Sequence, residues 1–168
     1  MSFATVLFAW LHIFFAVGWI GGALLSALIL TPVLRGMSPQ AAAEFTAKFM
    51  PKMGKMMGVF SSLTVVFGAA LLYFYTAGHP LVVAAGSGWG ELIMFGAAFG
   101  VLAYFFGLAA MLPLSRKLSE ATKRSNAQSG EHDQSEAKRI MAKMDTLALV
   151  DLVLLVAVFS LMVAAAFY

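Results

Sequence analysis

The chain contains no cysteine in 168 residues. Disulfides, thiolate-ligated zinc, iron–sulfur clusters and cysteine nucleophiles are thereby excluded together. Charge is also scarce. Asp, Glu, Lys and Arg make up 11% of the sequence, against roughly 25% in an ordinary soluble domain. No glycine-rich phosphate loop follows a strand pattern. With a single histidine inside an apolar stretch, no nucleophile–histidine–carboxylate set can be assembled. What the chain does have is apolar surface, 61% of its residues. A water-soluble core of this length has no use for so much of it, whereas lipid does.

A span needs about 20 largely apolar residues to cross a hydrocarbon core of roughly 30 Å. Four stretches satisfy this, at about residues 3–34, 55–76, 89–114 and 144–167. They predict an all-α fold, an integral membrane four-helix bundle that forms one transmembrane domain over residues 1–168. The N-terminal apolar stretch has no basic residues before it and is too long for a signal peptide, so it reads as a retained span. Gly21-Gly22 is the expected place for a bend in span one. Ser38-Pro39 reads as an N-cap and first-turn proline. A short interfacial helix is expected there, with Phe45 and Phe49 on one side and Glu44 and Lys48 elsewhere, broken at Pro51. Gly78-His79-Pro80 and Gly86-Ser87-Gly88 mark an outer loop. A polar linker is expected over residues 116–143, with Asp133 and Glu136 as a capping box that starts a helix running into span four. No internal repeat is evident.

The basic residues fix an orientation. Arg35, Lys48, Lys52 and Lys55 lie between spans one and two, and the remaining seven of the eleven lie between spans three and four. The positive-inside rule makes both segments cytoplasmic and both termini external, in what is expected to be a prokaryotic plasma membrane. The net charge of +3 therefore points to lipid headgroups and not to nucleic acid.

Chemistry concentrates at His12, about 12 Å inside span one by the helical rise. Ionisable residues at such depth are functional candidates, and a neutral imidazole keeps a lone pair for a metal. The plainer reading is a histidine that hydrogen-bonds a neighbouring helix. Phe8, Phe15 and Trp19 surround or share its face. Gly18, Gly22 and Ser26 form a strip of small residues, matched in span three by Gly96, Gly100 and Gly107. Such strips usually mean close helix packing, but they also leave room for a flat macrocycle between helices. Met50, Met53, Met56, Met57, Met141 and Met144 gather at the basic edge, where thioethers suit Cu(I) or serve as apolar filler. Asp151, inside span four, is expected to bond Ser61, Ser62 or Thr64, or to relay protons. Glu91 suits a helix N-terminus.

His12, then Trp19-Ile20-Gly21-Gly22, then an apolar run into Thr31-Pro32-Val33-Leu34-Arg35 resembles the CopD-like membrane superfamily, which includes HemJ-type protoporphyrinogen oxidases. The likeness is best over span one and weakens through span two and Gly88-Trp89. It implies a four-helix membrane protein that handles haem b or copper, with His12 at the position of the family's first-span histidine. If haem binds, His79, Met94 and Met162 are the candidates for a second iron ligand. HemJ-type enzymes carry a lysine shortly after the tryptophan that opens the later span. The stretch Trp89-Gly90-Glu91-Leu92-Ile93-Met94 has none, which argues against protoporphyrinogen oxidation. The expected function is a cytochrome-b-like protein for electron transfer or haem-dependent oxidoreduction. The alternatives are a structural or assembly subunit of a larger membrane complex, and copper handling. The small-residue strips would also suit a homodimer.

Overall fold

The computed structural model describes residues 2–84, 86–128 and 131–167. Every regular element among the described residues is helical. In chain order they are α1 (Phe3–Leu25), a π-helical turn (Ser26–Leu30), α2 (Thr31–Gly36), α3 (Pro39–Tyr75), α4 (Pro80–Ala84), α5 (Gly88–Phe106), a second π-helical turn (Gly107–Met111), α6 (Leu112–Gln128) and α7 (Glu131–Ala165). Four helices are long and apolar enough to cross a membrane: Phe3–Gly36, Gln40–Tyr75, Gly88–Ala121 and Lys138–Ala165. At most 17% of any apolar window is buried. Large apolar side chains such as Ile13, Val66, Phe105 and Val153 stay exposed on all four. That much uncovered apolar surface is stable only against lipid, so the chain is a membrane protein. A rod of 34 residues is about 50 Å long, well beyond a hydrocarbon core of roughly 30 Å.

At Gly21-Gly22, where a bend was expected, α1 continues as regular α-helix. The irregularity starts at Ser26, and its cause is Pro32. Proline lacks an N–H and its ring meets the carbonyl four residues back, here Leu28. Widening the preceding turn relieves that clash without ending the helix. Pro113 stands in the same place after the second π turn. The glycine pair leaves the helix regular, whereas Pro32 and Pro113 each follow a widened turn.

Pro51 does not break a helix either. It lies inside α3, which runs unbroken for 37 residues. The amphipathic stretch after Ser38 is therefore the beginning of α3. The Ser38 hydroxyl accepts the Ala41 N–H at 3.4 Å, as an N-cap does. The Phe45–Phe49 stack and the Glu44–Lys48 pair brace the turns before the proline. One lost backbone bond is tolerated where both flanks are held.

The segment expected to be a polar linker is mostly helix. α6 continues to Gln128 and α7 begins at Glu131. Leu118, Ser119 and Ala121 are buried, a face that the surrounding charges mask in the sequence. Glu136 pairs with Arg124 at 3.6 Å, and the Asp133 side chain of the expected capping box lies outside the described residues. α7 does run directly into the fourth span.

In the loop after α3, Ala77 and Gly78 adopt positive φ of 50° and 82°. The Gly78 N–H reaches the Tyr73 carbonyl at 2.9 Å, so the helix ends in a left-handed cap. The Ser87 hydroxyl then accepts the Gly90 N–H at 3.1 Å, and Trp89 stacks on Tyr75 at 4.9 Å.

The helices contribute to two compact units. One comprises Met1–Ile20, Val59–Phe105 and Val153–Tyr168; the other comprises Gly21–Gly58 and Phe106–Leu152. Each takes a stretch of all four long helices. The first holds His12, and the second holds all eleven lysines and arginines.

Candidate functional site

His12 lies about two and a half turns into α1 and is half-buried. Its Nδ1 is 2.9 Å from the carbonyl oxygen of Thr64 on α3. A carbonyl can only accept, so Nδ1 carries the proton, and the lone pair of the neutral form lies on Nε2. In a helix the Thr64 carbonyl points along the axis toward residue 68. A ring reaching that oxygen from outside must cross the place where a Cβ of residue 68 would stand. Residue 68 is glycine, and a Cβ there would lie 2.8 Å from both Cε1 and Nδ1 of His12. Gly68 is thus the condition for the His12–Thr64 bond. Nε2 makes no hydrogen bond among the described residues.

Aromatic rings flank the imidazole. Phe15 packs on Phe60 and Phe67, each at 5.6 Å, and Phe8 packs on Phe67 at 6.1 Å and Phe74 at 5.2 Å. Together they form a ladder between α1 and α3, with Phe8 and Phe15 on either side of His12 along the helix. Trp19 is buried on the same helix.

Side chains fill the glycine strips at Gly18, Gly22 and Gly96. The Phe60 ring occupies the space beside Gly18, the Met57 sulfur lies 2.5 Å from the Cβ position of Gly22, and Met162 covers Gly96. Val158 lies against Gly100 at 3.8 Å, and Gly107 faces open space. Ser26 opens the first π turn. Among the expected cofactor residues, His12, Phe8, Phe15, Trp19, Gly96 and Gly100 belong to one unit, and Gly22 and Ser26 to the other.

The candidate second ligands are dispersed. His79 is exposed in the turn after α3, Met94 is half-buried on α5, and Met162 is spent on Gly96. Met53 and Met57 both pack over Gly22, which is the filler role of methionine. Among the described residues no three His, Asp or Glu side chains gather as a metal cage. Glu91 sits in the first turn of α5, as its charge favours.

Asp151 is buried, and its Oδ1 has no hydrogen-bond partner among the described residues. Two of its expected partners are engaged elsewhere. The Thr64 hydroxyl donates to the Phe60 carbonyl at 2.8 Å, and the Ser62 hydroxyl meets the Tyr104 hydroxyl at 3.2 Å.

Sequence reasoning found His12 but not the surface that receives it. The signal was present: Ser61, Thr64 and Gly68 fall at i, i+3 and i+7 and form one small-residue face on the second long helix. No known protein family, curated protein or solved structure matches the chain.

Proposed function

We propose that this membrane protein binds haem b through Nε2 of His12 and serves electron transfer or a haem-dependent oxidoreduction. The observation that carries the reading is the pinned tautomer: Nδ1–H is held by the Thr64 carbonyl while the Nε2 lone pair has no partner among the described residues. Metal-bound histidines commonly donate their other nitrogen in this way, which fixes the ring and raises its basicity. The donor set also argues for a macrocycle. A bare ion needs several protein ligands, whereas iron in a porphyrin needs one from the protein. The fit is at the iron ligand and not in the glycine strips, whose space Phe60, Met57 and Met162 occupy.

When bound, the group supplies a one-electron iron centre. The chain's own part is to orient the imidazole through Thr64, to admit it over Gly68, and to keep water away with the Phe8 and Phe15 rings. We read the basic ends as cytoplasmic and both termini as external, in a prokaryotic plasma membrane. His12 would then lie toward the external side.

A second reading is favoured by the same bond. Clamping α1 to α3 is a sufficient role for His12 in a structural or assembly subunit of a larger complex, or of a homodimer. Copper handling through the basic-edge methionines is the weaker alternative, since Met53 and Met57 are engaged with Gly22.

A visible absorption spectrum of the detergent-purified protein separates these readings. A Soret band that shifts on reduction and is lost in His12→Ala is expected. A colourless protein that takes up no added haem, with His12→Ala only lowering its stability, overturns the haem reading in favour of the structural one.

A further inference from the structure

The basic end of the chain carries a repeat. Pro32-Val33-Leu34-Arg35-Gly36-Met37-Ser38 and Pro113-Leu114-Ser115-Arg116-Lys117-Leu118-Ser119 share the pattern Pro-x-x-Arg-x-x-Ser. Both follow a five-residue π turn by the same interval. The helices that come next also match: Met50-Pro51-Lys52-Met53-Gly54 corresponds to Met141-Ala142-Lys143-Met144-Asp145.

Packing follows the same correspondence. Asp145 accepts hydrogen bonds from the Thr31 hydroxyl at 3.3 Å and from Arg35 at 2.6 Å. Its counterpart Gly54 faces the counterparts of Thr31 and Leu34. A Cβ on Gly54 would lie 4.0 Å from Leu112 Cδ1 and 3.9 Å from Ser115 Oγ. α3 therefore meets α6 as α7 meets α2. One position is asymmetric. Asp145 neutralises Arg35, whereas the matching place offers Arg116 only a glycine. Arg116 makes no ion pair or hydrogen bond among the described residues. The Gly54 position meets nothing closer than ordinary contact, and Lys52 and Lys55 flank it in sequence.

We propose that this position binds a phosphate-bearing anion, held by Arg116 and the Ser115 hydroxyl over Gly54, in the place that Asp145 takes in the other half. The guanidinium fork matches phosphate oxygens in pairs. Gly54 supplies the space that a carboxylate would otherwise fill, and the two lysines add favourable charge. The anion comes from a lipid headgroup or from free phosphate. Neither source depends on haem.

The test is binding of phosphatidylglycerol and of inorganic phosphate to the full chain in a zwitterionic detergent, read by native mass spectrometry and by the thermal midpoint. Wild type should retain the anion and gain midpoint. Arg116→Gln should lose at least about tenfold in affinity, as expected when one partner of a charged hydrogen bond is removed. Gly54→Asp should lose it equally, because the new carboxylate takes the place of the anion. It should also melt no lower than wild type without lipid, which keeps the test valid if Arg116→Gln folds poorly. Binding of phosphatidylglycerol alone identifies a lipid headgroup, and binding of both probes identifies a free-anion site. Equal binding by wild type and both variants, or binding by none, overturns the proposal.

Discussion

At Gly68, one absent methyl group decides whether an imidazole reaches a helix carbonyl. Gly68→Ala would put a Cβ within 2.8 Å of the His12 ring, closer than such atoms stand, so the ring must move off Thr64. On the proposed haem function, affinity measured by Soret titration of the apoprotein is expected to fall by about 10- to 100-fold, the usual effect of losing a partner behind a metal ligand. Gly21→Ala is the control, since nothing lies within 4 Å of that position, and it should bind like wild type. His12 itself was legible in the sequence because a lone polar ring stands out in an apolar run. Its acceptor was not, because a backbone carbonyl leaves no trace in residue identity. The glycine strips were legible as strips, but which side chain fills each depends on the facing helix.

Among the elements, the four spans were readable from hydropathy alone, since lipid imposes length and apolarity on any helix that crosses it. The interruptions were not. Pro51 looks like a terminator yet sits within α3, while Pro32 and Pro113 act upstream of themselves, in turns that contain no proline. With Pro32→Ala the clash at Leu28 disappears, and the Ser26–Leu30 turn should close to an α-helix. Slower amide hydrogen exchange over Ser26–Leu30 is the expected readout, with no change over α5. The Arg35–Asp145 contact belongs to this scale too, since it ties α2 to α7. The Arg35 side chain is 65% exposed and that of Asp145 16%, so solvent screens much of the attraction. A double-mutant cycle of Arg35→Gln and Asp145→Asn, followed by thermal unfolding in detergent, should give a coupling of about 1 kcal/mol or less.

For the whole molecule, the absence of cysteine is an experimental convenience, because any introduced thiol is unique. Ser87→Cys, in the loop before α5, should react with a membrane-impermeant maleimide in intact cells. Gln128→Cys, at the end of α6, should react only after permeabilisation. The opposite pattern would invert the orientation read from the basic residues. The repeat between the two halves escaped sequence reading for a physical reason. Lipid-facing positions accept almost any apolar residue, so likeness survives only where proline, arginine and lysine do specific work at the polar edge. The two wide turns have one more consequence. Each accommodates one residue more than a regular helix requires, so the chain holds two sites where its length is adjustable. Removing Ala27 together with Pro32→Ala should leave the helix before and after it facing as they do now, whereas removing a residue from the middle of α1 would rotate His12 away from Thr64.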